Sequence, residues 1–137
     1  MNANSLLVRR YIEEIVNTGN LEKIAEFISE EYVEVYNDKR NPTGIEGAMD
    51  HIRSVRRNYK DLFLTITLQV AEGDYVATQY VMTGIHHGNW LGMKSTGKHL
   101  TITGVNIDKV VNGKIVEHGG AANMMESLLE IGALVIA

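Results

Sequence analysis

The hydrophobic period of this chain changes near residue 62, and this change constrains the fold more than any other feature. From there on, apolar side chains recur at every second position, which is typical of a β-strand with one buried face. The apolar positions are Leu62, Leu64, Ile66, Leu68 and Val70. A long strand with one strongly apolar face is therefore predicted.

Three further strands are predicted at residues 75–87, 100–111 and 114–121. Glu72-Gly73-Asp74 and Asn112-Gly113 are turn sequences that favour tight hairpins, so neighbouring strands in these pairs are antiparallel. A longer loop at residues 88–97 separates the middle two strands.

The chain before residue 62 has a helical period instead. Helices are predicted at residues 4–18, 21–28 and 44–59, with a short strand at 32–36, a polar loop at 37–43 and a last helix at 124–134. Helices followed by a run of long antiparallel strands predict an α+β fold. A long twisted sheet packed on N-terminal helices forms a conical barrel, whose open mouth can hold a ligand.

Composition restricts the class of partner. The 137 residues predict one domain, 1–137, and the net charge of −4 argues against binding to nucleic acid or to an anionic membrane surface. There is no cysteine, which excludes disulfides and thiolate metal sites. No leader-like or membrane-spanning apolar run is evident, so a cytoplasmic protein is expected.

Alternation predicts which strand side chains meet on the concave side. The polar residues placed there are His86, Asn106, Asp108, Glu117 and Asn123. The interior is then apolar at one end and polar at the other. Three glycines lie inside the predicted strands: Gly104, Gly119 and Gly120. They could leave space for a ligand or a close helix, or they could mark a bend in a strongly curved sheet.

His86 is the first catalytic candidate, because an imidazole titrates near neutral pH and can carry a proton to or from an enol or alkoxide. Asp108 and Glu117 are the carboxylates on the same nominal face, and burial would raise the pKa of either enough to make it a base. The alternative for all three residues is a structural position at a strand end.

Further polar and aromatic side chains could contact an apolar small molecule. They are Asn106, Tyr80, Trp90, Tyr11, Tyr36 and His51. A tyrosine on an apolar face is also compatible with plain core packing. No zinc-binding spacing and no glycine-rich phosphate loop is present, so neither a metal nor a nucleotide cofactor is expected.

Several segments together resemble the SnoaL-like polyketide cyclases of the nuclear transport factor 2-like (cystatin-like) superfamily. The segments are Gly73-Asp74-Tyr75-Val76-Ala77, Gly84-Ile85-His86-His87-Gly88, Gly92 with Thr96-Gly97-Lys98, Asn112-Gly113-Lys114-Ile115 with Glu117, and Leu128-Leu129-Glu130-Ile131-Gly132. The resemblance implies a conical α+β domain, a homodimer and cofactor-independent acid–base chemistry.

Two positions depart from the family pattern. Counting back from residues 128–132, the catalytic aspartate of the family corresponds to Asn123, and its usual tryptophan corresponds to Gly119. A carboxamide exchanges no proton near neutral pH, so Asn123 could hold a substrate carbonyl but could not act as the base.

Three functions remain open from the sequence. The first is an enzyme for aldol cyclisation, or a related isomerisation or hydration, of an apolar carbonyl compound. The second is a non-catalytic module that binds a hydrophobic ligand, favoured by Asn123. The third is a superfamily relative with other chemistry, such as an epoxide hydrolase or a cofactor-independent oxygenase. A homodimer is expected for all three, since the convex sheet face carries an apolar row at Ala77, Gln79, Val81, Thr83 and Ile85.

Overall fold

The computed structural model describes residues 2–137, except for the side chain of Leu91. The helices are α1 (Ala3–Tyr11), α2 (Gly44–Asn58) and α3 (Met125–Glu130). The strands are β1 (Ile28–Tyr36), β2 (Lys39–Pro42), β3 (Tyr59–Glu72), β4 (Tyr75–His86), β5 (His99–Val111) and β6 (Lys114–Asn123). The predicted α+β class is confirmed.

All six strands form one curved sheet in the order β2-β1-β6-β5-β4-β3. The hairpins β3-β4 and β5-β6 and the β4-β5 pair are antiparallel, as expected. In contrast to the predicted all-antiparallel barrel, β1 runs parallel to β6 and the sheet does not close on itself. The parallel pairing follows from the long crossover between β1 and β6, which passes through α2 and four other strands.

The helices lie in the concavity of the sheet and bury its inner face. Val8 of α1 and Ala48 and Ile52 of α2 are buried, as are Val76 of β4 and Ile102 of β5. The inner faces predicted for β4 and β5 are confirmed by burial: the even-numbered positions from Val76 to His86 alternate with exposed or half-buried ones. Alternation placed these residues correctly because β4 pairs with β5 without a register shift.

The predicted first two helices differ from the structure. α1 ends at Tyr11 and continues as a π-helical turn, Ile12–Val16. The predicted helix at 21–28 is only a 3-10 turn, Ile24–Glu26, because the chain enters β1 at Ile28 to pair with Ile115 of β6. That tertiary pairing overrides a weak helical pattern.

The polar loop predicted at 37–43 contains a strand, β2, all four residues of which are exposed. It pairs with β1 through the backbone, so no apolar alternation marks it. The last helix is also shorter than predicted, and the apolar tail after it is exposed at Val135 and Ile136.

A bulge in β3 changes the face of its second half. Ile66 lies opposite Tyr80, but Leu68 lies opposite Gln79, so Thr67 is an extra residue in the ladder. After the bulge, Leu68 and Val70 point outward and are 54% and 58% exposed. The prediction that both belong to the buried face is therefore wrong, because a single inserted residue reverses alternation.

No helix within residues 2–137 is long and apolar enough to cross a membrane.

Candidate active site

A cavity of about 340 Å³ lies between the inner face of the sheet and the two long helices. Its apolar floor includes Val8, Ile52 and Ile102. Six aromatic side chains also line it; they are Tyr11, Tyr32, Tyr36, Tyr59, Tyr80 and Trp90. A mainly apolar cavity with a few convergent polar groups is the usual form of a small-molecule site.

Asp108 and His118 form a hydrogen-bonded pair on the cavity wall, which we call the Asp108/His118 dyad. The two residues lie directly opposite each other on β5 and β6, and His118 Nδ1 is 2.6 Å from Asp108 Oδ1. The side chain of Asp108 is 3% exposed and that of His118 is 17% exposed. Two ionisable groups this close and this far from bulk water are coupled strongly.

The dyad fixes the chemical state of the imidazole. Burial lowers the pKa of His118, but the charge and hydrogen bond of Asp108, together with the charge of Glu34, outweigh it and raise the pKa above its usual 6.5. When His118 is neutral, its Nδ1–H donates to Asp108, which leaves Nε2 unprotonated. Nε2 has no hydrogen-bond partner among the described residues and is not sealed from solvent. Nε2 is thus free to take a proton from a ligand.

A β-bulge in β6 brings His118 into this position. Val110 pairs with Ile115, but Lys109 pairs with Glu117, so Val116 is an extra residue. A regular Asn112-Gly113 hairpin would instead place Glu117 opposite Asp108 and two carboxylates side by side. Such like-charge pairs are unfavourable, whereas a carboxylate opposite an imidazole is favourable.

Two more ionisable residues adjoin His118. Glu34 lies beside it on the parallel strand β1, and burial raises the pKa of Glu34 more than the charge of His118 lowers it. The ring of His51, from α2, contacts the His118 ring edge to face at a centroid distance of 6.1 Å. His51 also stacks parallel to Tyr36, and its Nδ1 is 3.8 Å from Glu34 Oε1.

His51 differs from His118 in charge. Burial and the nearby His118 lower the pKa of His51 to about 4, although 40% of its side chain is exposed. His51 is therefore neutral at neutral pH and can donate an N–H hydrogen bond to a ligand oxygen without carrying a charge.

The tyrosine hydroxyls of the wall stay protonated. Burial raises the pKa of Tyr11 and Tyr32, and it raises the pKa of Tyr36 to about 12. Tyr80 reaches inward over Gly104, where a Cβ atom would lie 2.5 Å from its hydroxyl oxygen. Gly104 thus provides room for a side chain of the protein. Cβ atoms at Gly119 and Gly120 would clash with backbone carbonyls of neighbouring strands.

The comparisons with known proteins agree on one family. The model of the SnoaL-like polyketide cyclases matches residues 6–131. The chain belongs to this family.

Curated SnoaL-like relatives cover most of the chain. The aklanonic acid methyl ester cyclases DnrD of Streptomyces peucetius and DauD of Streptomyces sp. (strain C5) are each 27% identical over 129 residues. These alignments cover 92% of this chain and 88% and 80% of the two cyclases. Among solved structures, AclR of Streptomyces galilaeus, a proposed hydroxylase, has a TM-score of 0.85 and 25% identity, covering 98% of this chain and 83% of AclR.

In this member of the SnoaL-like family, seven of the predicted site residues line the cavity. They are Asp108, Asn106, Tyr80, Trp90, Tyr11, Tyr36 and His51. The structure thus places all seven around one cavity.

Three predicted catalytic residues lie elsewhere. Glu117 points away from the cavity, where it pairs with Arg40 at 2.6 Å and with Lys109 at 3.6 Å. The bulge in β6 is the reason that Glu117 lies on the face opposite to the predicted one. Ion pairing with Arg40 lowers the pKa of Glu117, the opposite of the raised value expected for a buried base.

His86 and Asn123 do not line the cavity either. His86 is fully buried at the end of β4, with Nδ1 bonded to Thr96. Asn123 is exposed at the end of β6, and its Oδ1 accepts a hydrogen bond from Met125 N–H at the start of α3. His86 and Asn123 therefore do not lie beside Asp108 on the cavity wall.

The sequence reasoning missed His118 and Glu34. One signal in the sequence could have indicated His118. A regular β5-β6 hairpin would place Glu117 opposite Asp108, and such a like-charge pair is unfavourable. No local signal marks Glu34, because its place depends on the parallel pairing of β1 with β6. Among residues 2–137, no group of three or more His, Cys, Asp or Glu side chains suits a metal ion.

Proposed function

We propose that this protein is an enzyme that catalyses cofactor-independent acid–base chemistry on an apolar carbonyl compound, most simply an intramolecular aldol cyclisation. The observation that carries this proposal is the Asp108/His118 dyad on the wall of an aromatic-lined cavity. Membership of the SnoaL-like family and similarity to two ester cyclases support the same class of reaction.

His118 is the general base in this mechanism. Its Nε2 removes a proton from the carbon next to a substrate carbonyl, and the electron pair of that C–H bond forms an enolate. Asp108 accepts the Nδ1–H bond and stabilises the imidazolium that results. The raised pKa of His118 makes it a stronger base than a free imidazole.

Ring closure then requires support for oxygen atoms. The enolate carbon attacks a second carbonyl of the same molecule, a C–C bond forms, and the new alkoxide takes back the proton from His118. Neutral His51 and the carboxamide of Asn106 line the same cavity and can donate hydrogen bonds to the two oxygens. The aromatic wall packs against a flat, apolar substrate.

Turnover by His118 variants tests this proposal. Wild-type protein is incubated with aklanonic acid methyl ester and with other polyketide esters, and cyclised product is measured by mass spectrometry and chromatography. We expect His118→Gln to reduce kcat about 10²- to 10⁴-fold, the usual contribution of a general base. His87→Gln is the matched control, since His87 is exposed. Wild-type turnover that survives in His118→Gln contradicts the mechanism.

A non-catalytic ligand-binding module is the second candidate, and the position of Asn123 favours it. Asn123 stands where the family resemblance places a catalytic aspartate, and its side chain lies outside the cavity. This function predicts that a polyketide ester binds without being changed, and that His118→Gln alters only the dissociation constant.

A homodimer formed through the outer face of the sheet accompanies either function. Five large apolar side chains of this face are 40% to 58% exposed; they are Phe63, Leu68, Val70, Val105 and Ile107. Contiguous exposed apolar surface of this kind is typical of protein interfaces. None of these five side chains lines the cavity, so a dimer formed through them would leave the residues of the dyad uncovered.

A further inference from the structure

The loop between β4 and β5, residues 88–97, carries the single tryptophan of the chain, and we call it the Trp90 loop. Trp90 lines the cavity, whereas most of the loop is exposed. The Trp90 ring packs on Tyr59 at a centroid distance of 5.5 Å and meets the His86 ring at 6.3 Å. One wall of the cavity therefore depends on the conformation of a surface loop.

His86 connects this loop to the sheet at several points. Its Nδ1 accepts hydrogen bonds from the Oγ1–H of Thr96 at 2.9 Å and from the N–H of Thr96 at 3.3 Å. Its backbone carbonyl accepts from Gly97 N–H, and its N–H donates to the carbonyl of Lys98. Both the side chain and the backbone of His86 thus hold the C-terminal end of the loop.

The two bonds from Thr96 determine which nitrogen of His86 carries the proton. Nδ1 accepts both, so it is unprotonated, and the neutral ring carries its hydrogen on Nε2. Nε2 is fully buried and has no hydrogen-bond partner among the described residues. A buried polar atom without a partner destabilises a fold, and an apolar side chain would fill the space without that cost. The bonds to Thr96 are what an apolar side chain could not supply.

From this geometry we infer that His86 is a positioning residue: through Thr96 it fixes the Trp90 loop and thereby holds Trp90 in the cavity wall, where its indole packs against a planar ligand. The inference rests on the proposed function in one respect, that the cavity is the ligand site. It assigns His86 no contact with the ligand.

The fluorescence of Trp90 tests the first half of the inference without any ligand. His86→Leu removes the acceptor, His86→Asn keeps an oxygen acceptor near the position of Nδ1, and His87→Leu makes the same change on the exposed neighbour. In His86→Leu we expect red-shifted emission and increased quenching by acrylamide. We expect His86→Asn to restore most of the wild-type emission and His87→Leu to leave it unchanged.

Ligand affinity tests the second half. The probe is emodin, a flat hydroxyanthraquinone, and binding is measured by calorimetry on the full chain. We expect His86→Leu to weaken binding about tenfold, the loss expected when an aromatic wall is no longer held in place. His86→Asn should regain most of this affinity. Thr96→Val removes one of the two bonds from an exposed position, so it gives a second test if His86→Leu fails to fold.

The outcomes separate this inference from the proposed function. Unchanged Trp90 emission in both His86→Leu and Thr96→Val overturns the positioning role. Changed emission with unchanged emodin affinity also overturns it, because the loop would then not affect the ligand site. Wild-type protein that binds no emodin and turns over no polyketide ester, while His86→Leu shows the expected emission change, contradicts the proposed function and supports the tether alone.

Discussion

Each face of the sheet carries residues that are unusual for their position. On the inner face, Asp108 is 2% exposed and accepts a hydrogen bond from His118 on the wall of the cavity. On the outer face, Leu68 and Val70 are more than half exposed. Most of the inner face is apolar and buried, as expected for a sheet that covers a core; Val76, Tyr80 and Ile102 are examples. Asp108 is a buried ionisable exception on that face, whereas the outer face has exposed apolar side chains as its exception. We relate the first exception to the proposed ligand site and the second to the proposed dimer.

The largest expected effect comes from disabling the inner face at Asp108. Asp108→Asn places an amide where His118 needs an acceptor, so the imidazole loses its preferred tautomer. We expect kcat to fall about 10²- to 10⁴-fold. Because the two residues act as a unit, Asp108→Asn combined with His118→Gln should cost no more than the more damaging single change. Steady-state kinetics measures this, and fully additive losses would show that the residues act independently.

A charge on the outer face should break the proposed dimer without touching the cavity. Val105→Asp introduces a carboxylate into the apolar surface of β5, where a partner would leave it buried and unpaired. We expect the dimer dissociation constant to rise about 100-fold, measured by sedimentation equilibrium. Val135→Asp is the matched control, since Val135 is in the exposed tail beyond the sheet. Wild-type protein that sediments as one chain at high concentration would remove the proposed role of the outer face.

The pH dependence of stability should test the Asp108/His118 dyad on the inner face. The folded pKa of His118 is raised, so its stabilising contribution is complete below the unfolded value of about 6.5 and is lost as pH rises through the folded pKa. The free energy of unfolding of wild type relative to His118→Gln should therefore decrease as pH increases above about 6.5. Urea unfolding at a series of pH values measures the difference. A difference that grows with pH would contradict the dyad.

The smallest effect on turnover is expected for a change at Glu117. This residue points away from the cavity, whereas His118, the next residue of β6, lines the cavity. Glu117 pairs with Arg40 and Lys109 outside the cavity, so Glu117→Gln should change kcat by less than about twofold and stability by about 1 kcal/mol or less. Changing its sequence neighbour His118 should instead lower kcat by orders of magnitude. A large loss of turnover in Glu117→Gln, with the fold intact, would restore it as a catalytic candidate.

Much of the inner face could be predicted from the sequence. Alternation placed Tyr80, Asn106 and Asp108 on one face because β4 and β5 pair without interruption. The same argument gave the wrong face for Leu68 and for Glu117, and in both cases one bulge lies between the residue and the regular part of its strand. Alternation counts residues along one strand, whereas a bulge is set by the fit between two strands.

What the sequence by itself determined is local. The period of apolar residues predicted β3 to β6 and α2, turn residues predicted the hairpins at Gly73 and Asn112-Gly113, and the motif pattern indicated the SnoaL-like family. The tertiary structure alone decided the composition of the dyad. Only the bulge in β6 brings His118 opposite Asp108, and only the parallel pairing of β1 with β6 brings Glu34 beside them. Glu34 joins the dyad only through packing between strands that are distant in sequence, and the bulge depends on the fit between β5 and β6, so alternation along a single strand predicts neither contact.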